Sequence, residues 1–369
     1  MMSSKQPIIG VLTHRRNRFI AGKKYLSALA VEAKKHGCHL IVYSPPDIDE
    51  KKGVVSGFMY NSAAMEWKPL TTHLPDVVYD RFSYMERAAF RRYVAYRKKS
   101  RLRYLNNRFA HKWNAHKILS QSPALQPYLP ETTLMQQGAL ASMLDKYTTV
   151  YAKPVNGSGG KKILRMERIN NTIRLRGRDS RGNVVRQTYD CIEQAEKAAA
   201  EWCRDGRYIL QQGLTLTLLP GMICDTRVLI QKNGDGQWQI TGMIGKKSPL
   251  SRVTSNLSGG GKAVSLKKLL ARFSAEKQQK LMKEMKRVSF ILANFIERRF
   301  GQFIEFGLDF GIDTAGNAWL IEVNTKPNRE LFRVAGDIRT YRESISCPVR
   351  YAIHTLRKAK ASCGKEGCD

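Results

Sequence analysis

Apolar positions along the chain repeat with strand or helix periods, and each run predicts one element of secondary structure. In the first part they predict a buried strand, an amphipathic helix and two further strands, at residues 8–12, 22–36, 39–43 and 76–80. A strand–helix–strand start is typical of α/β domains. Prolines are frequent between the second and third strands, so we predict a less regular region there.

The same alternation resumes after Pro130. It predicts strands at residues 149–153, 162–166, 208–212, 225–231 and 237–244, and helices at 188–204 and 266–300. No internal repeat interrupts this order. The pattern therefore predicts a mixed α/β chain of several lobes, because 369 residues exceed the usual size of a single domain.

Residues 303–327, FIEFGLDFGIDTAGNAWLIEVNTKP, predict a β-hairpin that could hold a divalent metal. A loop of about four residues would place Asp309 opposite Glu322, with Asn324 on the same face as Glu322. Carboxylates about 4 Å apart repel by about 4 kcal/mol at an effective dielectric near 20, which favours a compensating cation. Oxygen ligands alone suit magnesium or manganese. The alternative is a solvated face on an edge hairpin.

A glycine-rich loop follows the strand at 149–153 and predicts contacts to phosphate. Lys153 ends that strand, and Gly157, Ser158, Gly159, Gly160 and Lys161 follow in sequence. Glycines let backbone N–H groups approach phosphate oxygens, and lysines neutralise the charge. The loop does not match the GxxxxGK[ST] pattern of P-loop proteins. A plain flexible hairpin turn is the alternative.

Two further segments place cations where a phosphoryl group could bind. Asp225 and Arg227 share one face of a predicted strand, where arginine could contact phosphate or form a cross-strand ion pair. The following segment, GKKSPLSRVTSNLSGGG, gathers cationic and polar residues beside three glycines, among them Lys246, Arg252 and Asn256. Such a loop could stabilise a transferring phosphoryl group, or it could be a linker.

The order of these motifs from about residue 107 to 328 resembles the ATP-grasp superfamily. TSNLSGGG and IEVNTKP resemble the corresponding parts of glutathione synthetase and RimK-type glutamate ligases. With IIGVLT at the start and KWNAHKILSQSPALQPYLPET before the grasp, nearly the whole chain is similar to the endospore coat-associated YheC/YheD family.

The resemblance implies an ATP-grasp fold of the α/β (α+β) class with a Rossmann-like pre-ATP-grasp lobe at the N-terminus. The implied divisions are this lobe at 1–105, an N-subdomain with a glycine-rich lid at 106–210, a C-subdomain with the metal hairpin at 211–357, and a flexible tail at 358–369.

The resemblance also implies roles for individual residues. ATP phosphates would contact Lys153 and the lid from Gly157 to Lys161, and the adenine hinge would be lined by Gln211, Gln212 and Leu214. Arg227, Lys246 and Asn256 would be catalytic, and Asp309, Glu322 and Asn324 would bind Mg²⁺, with Mn²⁺ as a possible substitute. One departure is Thr254, which stands where RimK-type relatives carry arginine. Lys246 or Arg252 could supply that charge.

Charge adds a second possible partner. The chain has 63 Lys and Arg against 31 Asp and Glu, a net charge of +32, so a polyanion is a candidate ligand. Residues 81–117 form the densest basic run, with interleaved aromatics that could line a nucleic-acid surface. Alternatively, the aromatics face the core and the arginines face solvent.

Localisation follows from what the sequence lacks. The N-terminus does not resemble a signal peptide, and no apolar run approaches the roughly 18 residues of a membrane span. Seven dispersed cysteines fit reduced thiols without zinc spacing. These features predict a cytoplasmic protein, and the resemblance adds a possible association with the spore coat.

Three functions remain open. The resemblance implies an ATP- and magnesium-dependent carboxylate–amine ligase that forms an amide through an acyl phosphate, with carboxylate and amine substrates that the sequence does not identify. A second hypothesis is a catalytically silent ATP-binding scaffold of the spore coat. The third is a protein that binds an anionic polymer or nucleic acid through its charge.

Overall fold

Three large β-sheets, a two-stranded sheet and flanking helices make up the described part of the chain, in a computed structural model that describes residues 6–83, 86–156, 162–179, 183–249 and 261–363. The strands are β1 Ile8–Leu12, β2 Arg15–Arg16, β3 Phe19–Ile20, β4 His39–Tyr43, β5 Ile48–Asp49, β6 Val54–Asn61, β7 Glu66–His73, β8 Val77–Asp80, β9 Thr132–Leu134, β10 Thr149–Pro154, β11 Leu164–Ile169, β12 Thr172–Arg178, β13 Val184–Tyr189, β14 Tyr208–Gln212, β15 Met222–Lys232, β16 Trp238–Pro249, β17 Lys262–Val264, β18 Glu305–Ile312 and β19 Ala318–Asn324. The α-helices are α1 Lys23–Lys35, α2 Arg87–Lys99, α3 Lys112–Leu119, α4 Ala139–Lys146, α5 Ile192–Cys203, α6 Leu266–Leu269, α7 Ala275–Phe300, α8 Glu330–Val334 and α9 Ile338–Cys363.

The first sheet confirms the predicted strand–helix–strand start. β1 lies between β4 and β8 and pairs with both in parallel, while α1 connects β1 to β4. The region predicted to be less regular instead contains the long hairpin β6–β7, in which Pro69 lies opposite Phe58. Proline is tolerated there because β7 pairs with β6 alone and so forms an edge of the sheet.

The second sheet has the order β13-β12-β11-β10-β14-β9, with α4 and α5 packed against it. The predicted helix at 188–204 was too long at its start, because β13 occupies Val184–Tyr189 and α5 begins at Ile192. Ala195, Ala199 and Cys203 recur every four residues and are buried, which explains why only this part keeps the helical period.

The third sheet is antiparallel, in the order β17-β16-β15-β18-β19, and α7 packs across it. The predicted helical stretch at 266–300 consists of α6 and α7. Ser274 starts the second helix, since its side chain accepts a hydrogen bond from the Lys277 backbone N–H at 3.2 Å.

The basic run at 81–117 contributes two separate helices, α2 and α3. Tyr93 of α2 is 2% exposed, while Arg91 and Arg92 face solvent. Tyr93, Arg91 and Arg92 match the second interpretation of this run, whereas Arg97 has an 8% exposed side chain and pairs with the buried Asp80 at 3.2 Å. Between the helices, Tyr104 forms a parallel β-bridge with Val78 and so extends the first sheet.

Each large sheet with its helices is called a lobe: the first, middle and third lobes contain the first, second and third sheets. The first and third lobes share a hydrophobic core, whereas the middle lobe has a separate core. Ile304 and residues of α9 pack with the strands of the first sheet, while, among the described residues, the core of the second sheet is formed by side chains from within 135–210.

A buried ionic cluster reinforces the joint between the first and third lobes. Glu305, which is 0% exposed, accepts hydrogen bonds from Arg81 at 2.9 Å, from Gln231 at 2.9 Å, and from Arg329 and Tyr79. One carboxylate thus holds two arginines from different parts of the chain in a fixed arrangement.

Candidate active site

The hairpin β18–β19 pairs the two predicted carboxylates. Asp309 lies directly opposite Glu322, as predicted from the strand period. Ile312 pairs with Ala318, so five residues connect the strands, and a shift in register after Asp309 restores the predicted pairing. Asn324 lies two residues beyond Glu322, and its Nδ2 is 3.4 Å from Asp309 Oδ2. The structure therefore brings the three predicted metal ligands to one place.

The Asp309 carboxylate also forms ion pairs with two cationic side chains. Arg227, its cross-strand neighbour on β15, donates through Nε to Oδ1 at 2.8 Å and through Nη2 to Oδ2 at 3.0 Å. Lys246 donates to Oδ1 at 3.0 Å. Burial alone would raise the pKa of Asp309, but Arg227 and Lys246 lower it to about 2. Asp309 is therefore a carboxylate at neutral pH.

Lys246 bridges two aspartates on neighbouring strands. It lies opposite Asp225, and its Nζ is 2.7 Å from Asp225 Oδ1 as well as 3.0 Å from Asp309 Oδ1. Burial opposes the charge of Lys246, yet the two aspartates raise its pKa. The cross-strand ion pairs weighed from the sequence are thus present, with Arg227 paired to Asp309 and Asp225 paired to Lys246.

Glu322 is more accessible than Asp309 and faces the middle lobe. Its side chain is 32% exposed, and its Oε1 accepts a hydrogen bond from Lys112 Nζ at 3.1 Å. The sequence did not predict Lys112 as a site residue. Its segment, KWNAHK, has no local pattern beyond that of a short helix. Nothing in it indicates that a side chain of α3 contacts a strand that lies 210 residues later in the sequence.

Lys153, at the end of β10, lies close enough to Glu322 and Lys112 for their charges to act on it. Burial lowers the pKa of Lys153 to about 8, with Glu322 opposing the shift and Lys112 adding to it. Its Nζ donates to Gln211 Oε1 on the neighbouring strand β14. Lys153 of the second sheet, Lys112 of α3 and Glu322 of the third sheet thus lie close together.

The predicted hinge residues occupy different positions along the end of β14. Gln211 is buried between Lys153 and Thr132, to whose hydroxyl it donates at 3.1 Å. Gln212 is half-buried, and its Oε1 accepts the Glu131 backbone N–H at 3.1 Å. Leu214 is half-buried just past the strand. Gln211 is therefore the one whose side chain contacts Lys153.

Several predicted residues lie outside the described ranges, namely Gly157, Ser158, Gly159, Gly160, Lys161 and Asn256, together with Arg252 and Thr254. Within those ranges, no three His, Cys, Asp or Glu residues cluster in a way that could hold a metal. The predicted metal set is instead two carboxylates and one amide. All three can offer oxygen, which fits Mg²⁺ or Mn²⁺. Asp309 Oδ1 accepts from Arg227 and Lys246, and Oδ2 accepts from Arg227 and Asn324, so a metal would have to share or displace these donors.

The fold and this arrangement define an ATP-grasp protein. Among solved structures, the chain is similar to the D-cycloserine synthetase DcsG, with a TM-score of 0.52 and 12% identity over 93% of this chain and 99% of that one. It is also similar to the macrocyclase MdnC from Microcystis aeruginosa MRC, with a TM-score of 0.51 and 10% identity over 92% and 98%. At these identities the likeness concerns the fold. The expected fold class, with a Rossmann-like lobe before the grasp, is confirmed.

The chain belongs to the YheC/D-like ATP-grasp family, whose model matches residues 101–355. It is 27% identical to the endospore coat-associated protein YheD of Bacillus subtilis (strain 168), over 88% of this chain and 74% of that protein. It is 25% identical to YheC of the same organism, over 88% and 90%. No helix in the described ranges has the length and apolar character needed to cross a membrane.

Proposed function

We propose that this chain is an ATP- and Mg²⁺-dependent carboxylate–amine ligase that forms an amide through an acyl phosphate. The observation that carries the proposal is that Lys153 of the second sheet lies near Glu322, on the hairpin that also brings Asp309 and Asn324 together. Cations suited to phosphate lie next to oxygens suited to a divalent metal. The ATP-grasp fold and its ligase neighbours support an ATP-dependent, ligase-like activity.

The nucleotide would lie between the second and third sheets. Lys153 would contact its phosphates, and Gln211, Gln212 and Leu214 would border the base. Asp309, Glu322 and Asn324 would hold Mg²⁺, or Mn²⁺ in its place. The metal would supply charge neutralisation on the phosphate oxygens during transfer.

For this site to bind ATP and Mg²⁺, Arg227 and Asn324 must exchange their present contacts with Asp309 for contacts with the phosphate and the metal. Arg227 holds both oxygens of Asp309, and a guanidinium in this position can instead hold an oxygen of the transferring phosphoryl group. Asn324 now presents its Nδ2 to Asp309, and a turn of the amide would present its oxygen. Lys246 stays between Asp225 and Asp309 and contributes to the lowered pKa of Asp309.

The reaction has two steps, phosphoryl transfer to the substrate carboxylate and then displacement of phosphate from the acyl carbon by the amine. A substrate carboxylate oxygen attacks the γ-phosphorus of ATP, giving an acyl phosphate and ADP. The amine then attacks the acyl carbon, loses a proton and expels inorganic phosphate, giving the amide. Positioning and charge stabilisation supply the rate, so a nucleophilic serine or cysteine is not required.

The acid and amine substrates are the open part of this proposal. Relatives described as endospore coat-associated support a role in the spore coat or envelope.

The test is Mg²⁺-dependent ADP release in the presence of pools of amino acids, peptides and cell extract. We expect turnover that depends on an added pool and is lost in Glu322→Gln. Glu330→Gln is the matched control, since Glu330 is 33% exposed and paired with Arg333, while Glu322 is 32% exposed and paired with Lys112. Tight ATP binding without release under any pool would overturn the ligase and favour the scaffold.

A further inference from the structure

A cleft, called the N-terminal cleft below, lies in the first lobe at the carboxyl ends of its parallel strands. It has a volume of about 250 Å³. Residues that follow β1, β4 and β8 and one residue of α2 supply its chemistry, namely His14, Arg15, Arg16, Ser44, Phe82 and Arg92. In open α/β sheets, ligands bind outside the carboxyl ends of the strands. The position of this N-terminal cleft is therefore that of a ligand site.

His14 is the buried polar group directed to this cleft. It is 7% exposed, and its ring packs edge-on against Phe82, with centroids 5.9 Å apart, and against Phe19, at 6.4 Å. Its ring nitrogens make no hydrogen bond to any residue that the structure describes. These nitrogens are not among the fully buried atoms that lack a partner, so they are accessible from the cleft that His14 lines and can bind a polar ligand atom there.

The charges around His14 favour an anion. Arg15 is compensated, because its guanidinium donates to Asp47 at 2.9 Å. Arg16 and Arg92 are exposed, and in the described ranges neither forms an ion pair. The lining also contains the carboxylate of Glu86, whose negative charge offsets one of these two positive charges. One net positive charge thus remains, on a guanidinium whose planar fork matches a carboxylate.

The wall of the N-terminal cleft is joined to the candidate active site. Lys326 donates to the Phe82 carbonyl oxygen at 2.6 Å and to Asp80 Oδ1 at 2.8 Å. Lys326 lies two residues after Asn324, just past the end of β19. A ligand against Phe82 is therefore near the strand that carries two of the proposed metal ligands.

We propose that the N-terminal cleft binds a non-reacting carboxylate of one of the two ligation substrates, through Arg16, Arg92 and the imidazole of His14. This inference rests on the proposed function. It limits that substrate to molecules with an anchoring carboxylate besides the reacting group, such as an amino acid or the C-terminus of a peptide.

The test is a binding experiment that does not require turnover. Protein labelled with ¹⁵N-histidine is titrated with the proteinogenic L-amino acids, succinate and inorganic phosphate, and the His14 ring signals are assigned with His14→Gln. We expect at least one carboxylate probe to shift these signals, and Arg92→Ala to weaken its binding about tenfold, because a charge-assisted hydrogen bond is lost. Arg91→Ala, which removes an exposed arginine next to it on α2, should leave the binding and ADP affinity unchanged.

Three results would overturn the inference. They are no shift with any probe, shifts with phosphate as large as with carboxylates, or unchanged carboxylate affinity in Arg92→Ala. Failure of the ligase proposal would look different, since a carboxylate would then bind the cleft while no pool supports ADP release. If ligation occurs but Arg92→Ala leaves every substrate KM unchanged, the ligase stands and the cleft assignment fails.

Discussion

Replacing Asp309 with asparagine should reveal a structural role that Glu322 does not share. The change keeps the shape of the side chain and removes the negative charge between Arg227 and Lys246. Both cations are largely buried, so the loss leaves them with less compensating charge. Glu322→Gln removes a predicted metal ligand on the paired position of the same hairpin, where the single ion pair to Lys112 is partly exposed.

The expected magnitudes differ severalfold. Removing one partner of a buried ion pair costs about 3–5 kcal/mol. We therefore expect Asp309→Asn to lose about 3–5 kcal/mol of unfolding free energy, in the direction that the lowered pKa of Asp309 also indicates. Glu322→Gln should lose at most about 1 kcal/mol, as for other accessible pairs.

Urea unfolding followed by tryptophan fluorescence, together with calorimetry of ADP binding with and without Mg²⁺, would measure both effects. At pH 7 we expect both variants to lose the Mg²⁺ dependence of ADP affinity, and Asp309→Asn alone to unfold at clearly lower urea. The folded-state pKa of Asp309 is lowered, so its stabilisation is present above about pH 4 and is lost as the pH falls towards 2. The stability difference between wild type and Asp309→Asn should shrink over that range.

Equal unfolding midpoints for the two variants would refute the role of Asp309 as the anion of the buried cluster. Retained Mg²⁺ dependence in Asp309→Asn would refute its assignment as a metal ligand. The two parts of the reasoning therefore fail separately.

Three other predictions concern other parts of the chain. ADP binding to the wild type near pH 9 should take up protons, measured by calorimetry in buffers of different ionisation enthalpy, because phosphate should raise the Lys153 pKa from about 8; Lys153→Met should abolish the uptake. Gly307→Ala should lower the melting temperature, since its Cβ would lie 2.6 Å from a proline Cβ, whereas Gly206→Ala meets nothing within 4 Å and should be neutral. Glu305→Gln should cost about 3–5 kcal/mol in thermal unfolding, because two arginines lose their anion, whereas Glu167→Gln, at a 27% exposed pair, should cost at most about 1 kcal/mol; equal losses would contradict this.

The sequence was most informative where one local period decides the geometry. The alternation in residues 303–327 was enough to place Asp309 opposite Glu322, although the loop has five residues and a register shift compensates for the extra one. The parallel pair β1–β4 followed from a continuous apolar run, a helix and a second run. In both cases the partners lie close in sequence.

Other features depend on partners that are distant in sequence or on context that composition hides. Lys112 meets Glu322 across 210 positions, and Arg227 meets Asp309 across 82. The hairpin containing Pro69 was missed because proline usually marks irregular structure, and only the pairing shows that β7 is an edge. Strand β13 was missed because its mostly exposed residues carry little apolar signal.

Because the middle lobe has a separate core, its motion could set the rate of ADP release. The first and third lobes share packed side chains and the Glu305 cluster, so they would move together as one base. The second sheet packs with α4 and α5, and this lobe could rotate about the chain segments before β9 and after β14. ADP departure would then be limited by opening of that lobe and not by bond making. Small-angle scattering with and without ADP should detect a change in overall dimensions, and identical profiles would contradict this gating.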